Sequence, residues 1–211
     1  MSVNNTSSRV AGERTGLKPI EEIRRAELVG AAIRTISEVG FDKTTVRKVA
    51  EAAGGSVGIV HYYFKTKDDL LKAAFEEVEG RFRAAIAEHL GDTGTSAVDR
   101  LRRVVDLSFP TPGDPLDEWP LVVELWRQAG EHRDMRELYT VANEQWLDDL
   151  EGIITQGIER GEITPLDARA IALVLSAAVD GLGLYSRVTD HVSSDAARCA
   201  AHRLVDLLTL R

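Results

Sequence analysis

Between Thr45 and Lys67 the chain reads Thr-Val-Arg-Lys-Val-Ala-Glu-Ala-Ala-Gly-Gly-Ser-Val-Gly-Ile-Val-His-Tyr-Tyr-Phe-Lys-Thr-Lys, and this stretch constrains the fold more than any other. Val46, Val49, Ala50 and Ala53 recur at i, i+3, i+4 and i+7, the spacing of one buried helical stripe. Gly54-Gly55 ends that helix, because glycine enters the left-handed cap conformation without a Cβ clash. Ser56 is placed to cap a second helix, which can run only to Tyr63 or its neighbour. Two short helices joined by a glycine turn form a helix-turn-helix, the layout that presents its second helix to a DNA major groove.

The rest of the chain predicts more helix. An earlier one over Ile20–Gly40 has Ile23, Ala26, Val29, Ile33 and Ile36 as its apolar face. Thr66-x-x-Asp69 and Ser96-x-x-Asp99 match the capping start signal. Thr164-Pro165-Leu166-Asp167 places proline at a first helical position, where its missing N–H costs nothing. The predicted helices are 67–90, 96–109, 118–130, 134–161, 165–189 and 194–210, with Pro110, Pro112, Pro115 and Pro120 breaking the chain between the second and third of these. The expected fold is all-α. Residues 1–19 read as a disordered N-terminal arm, polar and without the apolar core of a secretory signal. Residues 20–66 form a three-helix helix-turn-helix domain, and 67–211 a helical domain. No run of eighteen apolar residues is present, so no membrane partner is expected. The single cysteine, Cys199, has no intrachain partner, and a reducing cytoplasm is the simplest setting.

Charge is unevenly divided. The chain's formal net charge is −8, yet residues 1–70 hold eleven Lys and Arg against nine Asp and Glu, while residues 71–211 hold fifteen against twenty-five. An acidic body repels phosphate, so any nucleic-acid contact is confined to the N-terminal end.

Thr45, Val49-Ala50, Ala53-Gly54, Ser56, Gly58, Tyr63-Phe64, Lys67 and Leu70 together resemble the signature of the tetracycline-repressor (TetR) family of bacterial regulators, over roughly residues 20–70. Asp180-Gly181-Leu182 and the order of the later helices are similar to the BetI-like branch. Gly55 departs from the usual valine of the turn, and His61 stands where many members carry tyrosine. The resemblance implies a repressor that binds a palindromic operator as a homodimer and is released by a small molecule. By resemblance, Thr45 and Arg47 open the first helix of the motif toward phosphate or a guanine edge. Ser56, Val57, Gly58 and Ile59 enter the groove, with Val57 or Ile59 meeting a thymine methyl. His61, Tyr62 and Lys67 grip phosphates, and Tyr62 rather than Tyr63 is the exposed one of the pair.

The resemblance also assigns the later helices. Their central members hold the effector, for which the candidates are Phe75, Phe82, Phe109, Trp119, Trp126, Tyr139, Trp146 and Tyr185, with Glu124 and Asp180 as polar partners. Three tryptophans within 119–146 favour a flat or cationic ligand, since aromatic faces attract cations, and the BetI likeness points to choline-type or other amines. The last two helices supply the dimer surface through Leu175, Ala178, Leu182, Ala197, Ala201, Leu204 and Leu208, with the small Ala172, Ser176, Ala177, Gly181 and Gly183 allowing close approach.

Two other classes compete. A helical di-metal enzyme needs Glu-x-x-His pairs, and none of the five histidines has glutamate three residues before it. Gly54-Gly55-Ser56-Val57-Gly58 matches the nucleophile-elbow pattern, but that motif requires a preceding strand, whereas Val46 to Ala53 has helical period. No metal site, no catalytic residue and no cofactor are expected. A relative that has lost DNA binding and works through protein contacts is separated from the main reading by replacing Arg47 and Tyr62.

Overall fold

The computed structural model describes residues 18–90, 94–110 and 119–209, with side chains from residue 20 onward and, near the end of the fourth helix, only to residue 87. The expected arm and most of the proline-rich connection lie outside the described residues. The helices are α1 (Lys18–Val39), α2 (Val46–Ala52), α3 (Val57–Tyr63), α4 (Lys67–Leu90), α5 (Ala97–Ser108), α6 (Trp119–Glu131), α7 (Arg133–Glu159), α8 (Ala168–Val188) and α9 (Ser194–Leu207). Among the described residues no strand occurs, only one isolated antiparallel bridge between Ile163 and Thr209. The all-α expectation holds.

Local chemistry sets the boundaries. Thr45 and Ser56 cap α2 and α3, accepting from Lys48 N and Ile59 N. Thr66 and Asp69 form a reciprocal capping box, with both N–H···O distances at 3.0 Å. Ser96 caps α5 from its Oγ, 3.0 Å from Asp99 N. Gly54, at φ +61°, closes α2. Its N–H donates to Glu51 O and that of Gly55 to Ala50 O, the paired bonds of a Schellman motif. A Cβ in the left-handed region costs about 1–2 kcal/mol, so Gly54→Ala is expected to destabilise the protein by about 1 kcal/mol, read as a lower urea midpoint at unchanged slope.

One boundary differs from expectation. Helix α8 begins at Ala168, three residues later than the proline signal implies. Thr164 N donates to Leu208 O at 2.9 Å and Ile163 bridges Thr209, which commits residues 163–164 to extended backbone. Asp167 is therefore the cap, accepting from Ala170 N at 3.0 Å.

The chain forms two compact units that divide within α4, Met1–Leu71 and Lys72–Arg211. In the first, α1 packs on α2 and α2 on α3. Leu28, Val29, Ala31, Ala32, Ile33 and Ile36 of α1 are buried with Val49, Ala50, Val60 and Phe64. Ile23 and Ala26, expected on that stripe, are exposed, because the buried part of α1 starts only at Leu28. In the second unit α7 packs on α6 and α8, and α5 and α8 both pack on α9. Leu101, Val104, Val105, Leu150, Ile153, Ile154, Leu175, Ala197, Ala201 and Val205 lie in its core.

That core claims part of the expected dimer surface. Leu175, Ala197 and Ala201 are buried within the protomer, Leu208 nearly so, and Ala178, Leu182 and Leu204 are half-buried. The opposite faces of the same helices are exposed instead: Leu173, Val174, Ala177, Tyr185 and Val188 on α8, Ala200 and Leu207 on α9. Both helices are apolar on two sides, and periodicity alone does not say which side turns inward. Helix α8 is also long and apolar enough to cross a membrane by length and composition. It carries Asp180 at mid-length, where a bilayer makes a carboxylate costly, and Ala172, Leu175, Ser176, Val179 and Gly183 on it are buried by neighbouring protein.

Candidate functional site

The N-terminal unit presents a compact reading head. Val57 is 40% exposed at the start of α3 and Tyr62 is 65% exposed near its end. Ser56, Gly58 and His61 are exposed as well, while Tyr63 and Ile59 are half-buried. Of the two apolar candidates at this end of α3, Val57 is the accessible one. Thr45 and Arg47 are exposed at the start of α2. Arg47 Nε lies 2.9 Å from Glu51 Oε1, a solvent-facing ion pair of the kind a phosphate readily replaces. Tyr62 meets Tyr63 edge-on with centroids 5.0 Å apart, and its hydroxyl donates to Glu21 Oε1 of α1 at 3.4 Å.

Lys67 does not match its expected role. Its ammonium donates to Phe41 O and lies 3.7 Å from the Phe41 ring centroid. It ties the start of α4 to the turn after α1, a structural use of the charge. A Cβ at the unusual Gly55 would come 2.9 Å from Arg24 Nη2, the tip of a flexible side chain that can move aside.

The second unit contains a cavity of about 160 Å³, close to the roughly 150 Å³ of an engineered apolar cavity that holds benzene. Three helical stripes wall it: Phe75, Glu79 and Phe82 on α4; Trp119, Val122 and Trp126 on α6; Tyr139, Asn143 and Trp146 on α7. Asp180 and Val179 of α8 and Ser108 at the end of α5 complete the wall. The aromatic rings are mutually braced. Trp119 meets Trp126 edge-on with centroids 6.0 Å apart, and Phe82 tilts against Trp146 at 5.4 Å. Trp119 Nε1 donates to Ser108 O and Trp146 Nε1 to Ser176 Oγ, both at 3.0 Å.

Electrostatically the cavity is acidic. Asp180 makes no hydrogen bond or ion pair among the described residues, and burial pushes its carboxyl up to about 6. Glu79 is also raised, by burial first, with the Arg83 guanidinium acting in the opposite direction and Asp149 adding to the rise. Burial raises the Tyr139 phenol, and the Asp180 charge pushes the same way, so that hydroxyl remains protonated at neutral pH. Two half-buried carboxylates facing aromatic walls suit a small organic cation.

Six expected ligand residues line this cavity together with Asp180: Phe75, Phe82, Trp119, Trp126, Tyr139 and Trp146. Three others do not. Phe109 is in the core beneath α5. Glu124 is engaged by Arg127 Nη2 and Gln128 Nε2, each at 2.8 Å. Tyr185 is 58% exposed on another face of α8. Glu79 and Asn143 went unread, although each lies at i+4 from an aromatic residue that was expected, Phe75 and Tyr139, and so on its face. Among the described residues no group of three His, Cys, Asp or Glu could hold a metal ion.

Comparison with known proteins gives this arrangement a family. Residues 28–74 match the model of bacterial regulatory proteins of the tetR family, and residues 97–210 match the C-terminal domain of the BetI-type transcriptional repressor. The chain belongs to the TetR family. This TetR-family chain, a transcriptional regulator and not an enzyme, is similar to the HTH-type transcriptional regulator BetI of Burkholderia thailandensis, at 32% identity over 90% of this chain and 95% of that one. BetI of Stenotrophomonas maltophilia is 29% identical over 90% of this chain and 94% of its own length. Among solved structures, a transcriptional regulator from Saccharomonospora viridis in complex with choline superposes with a TM-score of 0.81, at 27% identity, covering 90% of this chain and all of that one. The tetR-family match spans the reading head. The BetI-type match spans most of the cavity wall but not the α4 stripe.

Proposed function

We propose that this TetR-family regulator is a homodimeric repressor whose effector is a small monovalent organic cation of the choline class. The single observation that carries the effector assignment is Asp180: a half-buried carboxylate with no protein cation beside it, in an aromatic cavity of small volume. The choline-bound relative supports the class. A cation entering the cavity gains from the carboxylates and from the ring faces of Phe82, Trp119, Trp126 and Trp146.

Operator contact falls to Thr45, Arg47, Ser56, Val57, Gly58, His61 and Tyr62, with Ile59 supporting the recognition helix from its half-buried position. A seven-residue recognition helix offers few base contacts, so two heads must read two half-sites. The exposed faces of α8 and α9, led by Val174, Ala177, Tyr185, Val188 and Leu207, are suited to join the protomers in an isologous contact. Helix α4 starts at Lys67 and carries Phe75, Glu79 and Phe82 into the cavity wall, so a ligand that repositions it changes the spacing of the heads. Linkage then requires DNA to weaken the ligand by the same factor.

The test is selection of duplexes from a random pool by the purified protein near physiological salt. Enrichment of an inverted repeat that is released by millimolar choline is expected, with log affinity falling linearly in log salt. Arg47→Ala and Tyr62→Ala should each weaken that complex at least about tenfold with the dimer intact, in keeping with the roughly 1–3 kcal/mol of a good base or stacking contact. A pool that stays random with and without choline would overturn the reading.

A further inference from the structure

The cavity holds more than a cation site. Its polar groups fall into two sets, those already satisfied by the protein and those that are not. Ser108 Oγ donates to Val104 O at 2.9 Å, and the indoles of Trp119 and Trp146 have acceptors. Trp126 Nε1 is buried with no acceptor. The Tyr139 hydroxyl is close enough to that N–H for its ionisation to be eased by it, yet outside hydrogen-bond geometry. Asn143, one turn from Tyr139 on α7, lines the same cavity, and its amide makes no hydrogen bond among the described residues.

An unmet buried donor is expensive, and most find a partner in native proteins. Here the Trp126 indole N–H lacks one; the half-buried Tyr139 hydroxyl and Asn143 carboxamide stand beside it, and all three border the space that Asp180 borders. A bare alkylammonium would leave that indole unsatisfied and would cover the phenol and the carboxamide with methyl groups. An oxygen on the ligand, a short reach from the cationic centre, would meet them. A carboxylate in that place would face Asp180 and Glu79, so the oxygen has to be neutral.

We infer that the cavity selects cations bearing a neutral oxygen, with Asn143 and Trp126 as the residues that read it and Tyr139 closing the group. This specificity rests on the cation reading above and adds a second recognition element to it. Sites built to hydrogen-bond a ligand hydroxyl discriminate strongly against analogues that lack it, because the buried polar groups are then stranded.

The experiment is calorimetric titration of the full-length protein with choline and with n-propyltrimethylammonium, which carries a methyl group where choline has its hydroxyl. Choline is expected to bind at least about tenfold more tightly. In Asn143→Leu the ratio should fall toward unity, while n-propyltrimethylammonium keeps its wild-type affinity within about threefold. That retained binding shows that the variant is folded with an intact cation site. Equal binding of the two cations to the wild-type protein would overturn the inference and leave the cation reading standing. Binding of neither at millimolar concentration would overturn both.

Discussion

Asp180→Asn is expected to make the protein more stable and to abolish its response to a cation. The native carboxylate is half-buried and unpaired, with its pKa raised from 3.8 to about 6. A rise of that size corresponds to at most about 3 kcal/mol of stability lost on ionisation, and the neutral amide recovers much of it, less the cost of its own burial. A net gain of about 1–2 kcal/mol at pH 7.5 should appear in denaturant unfolding. The sign follows from proton uptake. The folded protein binds this proton near pH 6, the unfolded chain near pH 4, so the carboxyl favours folding fully below pH 4 and loses that effect as pH rises toward 6. The variant should lack this slope. Cation binding runs the other way, because it needs the ionised form: wild-type affinity should fall as pH drops below about 6. Removing one partner of a buried charge pair costs about 2 kcal/mol or more, roughly thirtyfold in Kd. A variant that is less stable at pH 7.5, or that binds choline normally, would remove Asp180 from the centre of the site.

Such a trade, stability forgone for a site, is hard to see in sequence, and the same is true of several other residues here. What was legible had a short-range cause. Thr66 with Asp69, Ser96 with Asp99, and Gly54 after Ala53 announce helix ends through bonds that span at most a few residues, and the structure forms them. The helix-turn-helix is mostly such local grammar, which is why the cap at Ser56 and the short helix after it are legible. The cavity depends on which face of each helix turns inward, and there the record is mixed. Phe75, Trp126 and Tyr139 declare themselves as aromatics. Glu79 and Asn143 occupy the same faces one turn away but look like ordinary polar positions. Glu124 looked like a ligand group because its partners, Arg127 and Gln128, are one turn along the same helix and only the structure shows them closing on it. Tyr185 is five positions from Asp180, about 140° around a helix of about 100° per residue, so the two cannot share a wall. The apolar stripes of α8 and α9 misled for a related reason: each helix has an inner and an outer apolar face, and only the inner one belongs to this protomer's core.

Gly183 is where these faces meet, and replacing it should cost the protein both stability and ligand. A Cβ at this position would fall 2.0 Å from Trp119 Cζ2 and 2.2 Å from Cη2, far inside van der Waals contact. The ring has little freedom to retreat. Its Nε1 is bonded to Ser108 O, Trp126 stands edge-on to it, and the Arg187 guanidinium lies 5.3 Å from its centroid. Overpacking of this kind costs about 1–3 kcal/mol, and the better helix propensity of alanine returns at most about 1 kcal/mol. Gly183→Ala should therefore lower the melting temperature by several degrees. Because Trp119 is a wall of the cavity, its displacement should also weaken choline binding about tenfold or more and change the tryptophan fluorescence. Gly152→Ala on α7 is the control, since a Cβ there meets nothing within 4 Å: it should leave binding unchanged and stability equal or slightly higher. Wild-type stability and binding in Gly183→Ala would mean that α6 and α8 are packed more loosely than the structure has them. The expected outcome explains why a small residue stands one turn beyond Asp180. Asp180 and Gly183 share a helix face; the carboxylate provides the charge that a cation needs, and the missing side chain lets an indole settle against α8 to wall the space that holds it.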